Sequence, residues 1–147
     1  MAKFNFPMEQ VFQVKKKLEK QKQLELGKAM QALSKSQEQL LEIENQLHEA
    51  NQRFQINLST GRVNPSEMKS AHEVIRYFHQ AMTEQKQVTQ QHKLKVDEAK
   101  EALKTALQDR KIFESLKEKS FESYIENEKL EEAKRLDEIV SYKYRNP

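Results

Sequence analysis

The chain has 147 residues, a length that suits one domain, and a formal charge of +3 from 26 basic and 23 acidic side chains. Charged residues make up 33% and the apolar set 36%, with two glycines and three prolines. Two glycines cannot punctuate a β-sandwich or a doubly wound sheet, and so low an apolar share does not fill a compact core, which leaves long helices or disorder.

The first element is a dense apolar cluster, Phe4, Phe6, Met8, Val11 and Phe12, which is more than a two-stranded seam buries. It either caps the open end of a hairpin or meets a partner. No stretch here has signal-peptide length, and no run approaches the roughly 18 apolar residues that span a bilayer. Pro7 opens helix one, with Glu9 near the positive end of its dipole. The basic run Lys15 to Lys17, with Lys20 and Lys22, is diluted by Glu19 and Glu25, so despite a pI near 9.0 no nucleic-acid partner is expected. Leu26, Leu33, Leu40, Leu47 and Phe54 then recur every seven residues, with Ala29, Ile43 and Ala50 three further on and Ser36 as a polar interruption. That is an a/d seam, and disordered chains do not maintain one over this length. Val11 and Leu18 keep the same step, but Leu18 to Leu26 is eight, which predicts a phase shift around Gly27.

Helix one is expected over about residues 7–58, a turn over about 59–64, and helix two over about 65–141. Gly61 supplies a left-handed residue at the helix end, Asn64 the N-cap, and Pro65 the first helical position. Glu67 is placed to reach back as a capping-box partner. In helix two Met68, Ile75, Met82, Val96 and Leu103 share one heptad position, broken by Thr89. Ala71, Phe78, Ala99, Ala106 and Phe113 share the other, broken by Gln85 and His92.

The fold class is therefore all-α: an antiparallel two-helix coiled-coil hairpin forming a single domain, its second helix longer and protruding. At about 1.5 Å per residue the helices measure roughly 78 and 115 Å, and a fold about residue 62 sets residue i opposite approximately 124 − i. Helix two is then expected to lack a partner beyond Leu116, apart from the few residues before Pro7. Phe121, Tyr124, Ile125, Leu130, Leu136, Ile139 and Val140 lie on this overhang among dense charges, an amphipathic helix suited to docking.

The composition offers little chemistry. Zero cysteines removes disulfides, thiolate nucleophiles and cysteine-ligated metals. The histidines are His48, His72, His79 and His92; His72 and His79 stand seven apart rather than at the i, i+4 spacing of a helical metal pair. No phosphate-binding glycine loop is present, and a two-helix rod has no concave pocket in which to tune a carboxylate. No enzyme activity, metal, cofactor or small-molecule substrate is expected.

The segment FNFPMEQVFQVKKKLEKQKQLELGKA resembles the N-terminal pattern of the flagellar export protein FliJ family, with phenylalanines, a "VF" pair and a charged helix leading to L-x-x-A. LKEKSFESYIENEKLEEAKRLDEIV resembles that family's C-terminal stretch. The resemblance spans nearly the whole chain, including its single turn. It implies a coiled coil similar to the central stalk of rotary ATPases, acting in bacterial flagellum biogenesis, motility and type III protein export. Its implied partners are the flagellar export ATPase hexamer, the cytoplasmic domain of the export-gate membrane protein, and export chaperones. The ends facing the ATPase fall at Phe4, Phe6, Val11 and Phe12, and at Leu130, Leu136, Asp137 and Glu138. The stretch VIRYFHQAMTEQ resembles the gate-facing segment and nominates Val74, Phe78, Ala81 and Gln85. The implied location is cytoplasmic, peripheral to the inner face of the membrane at the flagellar base. Alternatives are a generic cytosolic coiled-coil adaptor, the equivalent stalk of a virulence secretion system, or a binder of nucleic acid or anionic membrane.

Overall fold

The computed structural model describes residues 3–61 and 64–145. Two helices pack against each other, α1 over Glu9–Ser59 (51 residues) and α2 over Pro65–Arg145 (81 residues), with no strand among the described residues. The all-α hairpin with a longer second helix is thus the fold observed.

The helix ends follow from backbone accounting. Pro7 and Met8 form a turn instead of opening α1: the Glu9 amide donates to the Phe6 carbonyl at 3.1 Å, and Phe12 N–H reaches the Met8 carbonyl at 2.9 Å. Helix one therefore begins two residues later than Pro7 suggested. At the other end Gly61 takes φ 67°, the left-handed conformation that costs a Cβ-bearing residue most. Ser59 and Thr60 hydroxyls donate to the Ile56 and Asn57 carbonyls, satisfying acceptors that the ending helix leaves free. Asn64 caps α2, its Oδ1 accepting from the Ser66 amide at 3.0 Å and its carbonyl from Met68 at 3.0 Å. Helix two runs on past residue 141 to Arg145, with Lys143 and Arg145 in its last turn, where a helix C-terminus favours cations.

The chain divides into two compact units. In the unit Lys22–Ala102 the heptad positions from Leu26 to Phe54 are all buried or half-buried, as are those from Met68 to Ala99. Leu47 and Val96 are its buried apolar side chains. The polar interruptions noticed in the two helices belong to one layer. Ser36 and Thr89, 2% and 3% exposed, bring their hydroxyl oxygens to 2.7 Å. Gln85 Nε2 donates to the Ser36 carbonyl at 3.2 Å, to its hydroxyl at 3.0 Å and to Gln39 Oε1 at 3.3 Å. Buried hydroxyls without such partners would be costly, so only this register places Ser36 opposite Thr89. Nearer the turn, the Phe54 ring meets His72 at 5.1 Å, two residues beyond the expected Ser70.

The other unit joins Met1–Gln21 to Leu103–Pro147. Its core holds Phe6, Phe12 and Ala106. Here the expected phase shift is corrected. The seven-residue step in α1 is unbroken, running Phe12, Glu19, Leu26 and onward, while Val11 is 39% exposed. Glu19 hid the repeat because a carboxylate occupies a seam position. It does so by pairing with Arg110, itself seven beyond Leu103 on the same α2 heptad. Lys117, the next member of that heptad, pairs with Glu9 at 2.9 Å, and Lys15 approaches Asp109 at 3.9 Å. Gly27 is an ordinary helical residue with open space around it.

Candidate protein-docking surfaces

The N-terminal cluster was open to two readings, and the fold supplies the capping one for two members: Phe6 and Phe12 are 7% and 4% exposed. The Phe12 ring lies 4.3 Å from Lys16 Nζ and 5.4 Å from Lys117 Nζ, so cations cover the face that the seam does not. Phe4 packs edge-on against Phe121 at 5.1 Å and tilts on Tyr124 at 5.5 Å. Beyond these rings Asn127 borders a shallow cleft with Asn5, Pro7 and Ser120. Past Leu116, helix two is therefore partnered at Phe121 and Tyr124 by the segment before Pro7, as the sequence allowed, and additionally at Lys117 by Glu9 and Phe12. The antiparallel pairing sets this N-terminal cluster near Phe113, Leu116 and Phe121, and the Phe4–Phe121 contact follows that expectation.

Lys117 also acts on Glu9. Its ammonium and the Gln13 amide hydrogen-bond the carboxylate and hold its pKa below the ordinary value, with charge attraction from Lys117 and Lys16 adding to the effect. Between Phe4, Phe12, Lys16, Lys117 and Phe121 lies an open cleft of about 510 Å³, bordered by Glu114 and Glu118.

Past this clamp the character of α2 changes. Every described residue from 129 to 145 is exposed. Leu130, Leu136, Asp137 and Glu138 all lie on this segment. Leu130 and Asp137, seven apart, share one side, whereas Leu136 adjoins Ile139 and Val140 at i+3 and i+4 on another. Of the eight end residues nominated from the sequence, Val11 and these four are open to solvent, Phe4 is half-buried, and Phe6 and Phe12 are not surface residues.

The second nominated patch lies in the unit Lys22–Ala102. Val74 is exposed, while Phe78, Ala81 and Gln85 are half-buried. Gln85 serves the polar layer through Ser36, and Phe78 stacks edge-on with Tyr77 at 5.5 Å. A shallow depression of about 240 Å³ runs beside Ala81, lined by Tyr77, Gln80 and Glu84. The exposed apolar members of this face are thus Val74 and Tyr77, which the sequence patch only half contained.

Among the described residues no group of three or more metal-binding side chains converges, and no helix is long and apolar enough to cross a membrane. What the geometry defines is a coiled-coil hairpin whose unspent surface is amphipathic helix and aromatic-lined cleft, the equipment of a protein that works by binding other proteins. The family model described as flagellar FliJ protein matches residues 4–147, essentially the entire chain, and the chain belongs to that family. It is thereby a component of the flagellar export apparatus, in a family whose role is non-catalytic. Comparison with curated proteins and with solved structures found no match.

Proposed function

We propose that this chain is a stalk-like coupling element of flagellar protein export, binding the hexameric export ATPase by the end where its termini lie and the export gate by the body of the hairpin. The observation that carries the reading is the exposed helix 129–145, which continues from the aromatic clamp and presents Leu130, Leu136, Ile139 and Val140 to solvent. An apolar-charged helix of that kind is suited to a groove or ring lumen. In this reading Phe6 and Phe12 act through packing, by holding the clamp, while Val11, Leu130, Leu136, Asp137 and Glu138 make contact. Val74 and Tyr77, backed by Phe78 and Ala81, form the face offered to the gate, and the protein works at the inner face of the membrane at the flagellar base. Export chaperones are further partners on this reading.

Truncation after Glu128 removes the exposed helix and spares every described contact of the clamp. The truncated protein is expected to keep its helical hairpin and lose co-elution with the export ATPase. Undiminished co-elution would refute the assignment of that end.

A further inference from the structure

Helix two carries a second stripe that the hairpin engages only at its first residue, Phe121, through Phe4. Phe121, Ile125, Lys129, Glu132, Leu136 and Val140 follow at steps of four, four, three, four and four residues, the spacing of an 11-residue period that keeps a stripe on one face of a nearly straight helix. Its four apolar members are 38–62% exposed. The hairpin seam gives out along the same stretch: after Tyr124 and Ser120 its heptad positions pass to Asn127, Glu131, Lys134 and Glu138, all exposed.

Reversed, this stripe is complementary to itself. Set antiparallel about a two-fold axis between residues 130 and 131, Phe121 falls opposite Val140, Ile125 opposite Leu136, and Lys129 opposite Glu132. The two charges at the centre, which otherwise interrupt the apolar face, then neutralise each other twice. Beside the stripe the same register opposes Glu126 to Arg135 and Glu118 to Lys143. An axis moved to residue 132 would set Glu132 against itself and Lys129 against Arg135, and a parallel pairing would oppose like charges throughout. The cleft of about 510 Å³ opens at the Phe121 end, bordered by Glu118, where the incoming Val140 and Lys143 arrive. We propose that the free end of α2 pairs antiparallel with the same segment of a second copy of this chain. Occupancy by the second copy covers the helix end proposed above for the ATPase, so the two associations compete for it.

The test is sedimentation velocity of the full-length chain from low-micromolar to near-millimolar concentration. A monomer–dimer equilibrium is expected. K129E and E132K should each weaken it roughly tenfold or more, because the two-fold axis counts each substitution twice. The double variant K129E/E132K should recover the original association. An equimolar mixture of the two single variants should also associate, since every central pair is then attractive. Far-ultraviolet circular dichroism identifies any variant that has lost helix. A chain that stays monomeric throughout, or a dimer that neither reversal weakens, would overturn the proposal. So would a monomer whose stripe gains hydrogen-exchange protection only when the export ATPase is added, which would give the stripe to that partner.

Discussion

The polar layer of the unit Lys22–Ala102 permits an asymmetric prediction. Ser36 Oγ has two partners, Thr89 Oγ1 at 2.7 Å and Gln85 Nε2 at 3.0 Å, within a site where both hydroxyl residues are almost fully buried. Replacing Ser36 with Ala removes both interactions and leaves the Thr89 hydroxyl facing a methyl group. Loss of a net bond and an orphaned buried hydroxyl together put the cost at about 1–3 kcal/mol. Thr89→Val is milder, because Ser36 Oγ keeps the Gln85 donor and the valine fills the same volume; about 0–1 kcal/mol is expected. Combining the two removes the orphan, while Gln85 retains the Ser36 backbone carbonyl and Gln39. The double variant should therefore be more stable than Ser36→Ala alone, with a favourable coupling of roughly 1–2 kcal/mol. Urea unfolding of the four proteins at constant m-value measures this cycle. Additive losses, or a costlier Thr89→Val than Ser36→Ala, would refute the reasoning that one shared network joins the helices there.

Four further outcomes follow from the same packing. Gly27→Ala places a methyl in open space on a helical backbone and should stabilise the chain by about 0.5–1 kcal/mol in thermal unfolding. Arg110→Leu leaves the half-buried Glu19 without its cation, whereas Arg110→Leu combined with Glu19→Leu restores an apolar heptad pair; the double variant should exceed the single in urea midpoint. Phe12→Ala removes a buried ring that also receives Lys16 and Lys117, and a loss of about 3–5 kcal/mol is expected, read as faster hydrogen exchange over residues 9–21. Glu9 has its pKa lowered in the folded chain, so its contribution is complete above the ordinary value of 4.5 and is lost as pH falls below that value toward the folded one. An acid titration of stability should accordingly be shallower for Glu9→Gln than for the parent over that fall.

Most of the architecture was legible because leucine, alanine and phenylalanine at fixed spacing leave few alternatives. Gly61 and Asn64-Pro65 each have a single sensible role at the turn. The hidden parts are those where charge stands at an apolar address. Glu19, Arg110 and Lys117 read as solvated residues by type, and only their partners across the hairpin reveal them as seam members. That substitution of ion pair for leucine made a continuous repeat look slipped at Gly27 and made Val11 look internal. Ser36, Thr89 and Gln85 were visible as breaks in two separate helices, but their meeting depended on a register known only within a few residues. For the docking surfaces, sequence located the exposed end of α2 well and overstated the availability of Phe6 and Phe12. Aromatic residues near a chain terminus are equally good at closing a fold and at binding a partner, and their number alone does not choose.

The antiparallel turn also dictates an order of assembly. Residues that meet across it are separated by 53 positions at Ser36 and Thr89 and by 91 at Glu19 and Arg110. Contacts close to the turn have the shortest loops to close, and each one formed shortens the loop for the next, so the hairpin zips outward. During synthesis the first phenylalanines leave the ribosome long before Phe121 exists to receive Phe4, and they wait exposed while α1 has no partner. The aromatic clamp is thus the contact with the longest loop to close, and until it forms the nascent chain carries its N-terminal phenylalanines uncovered.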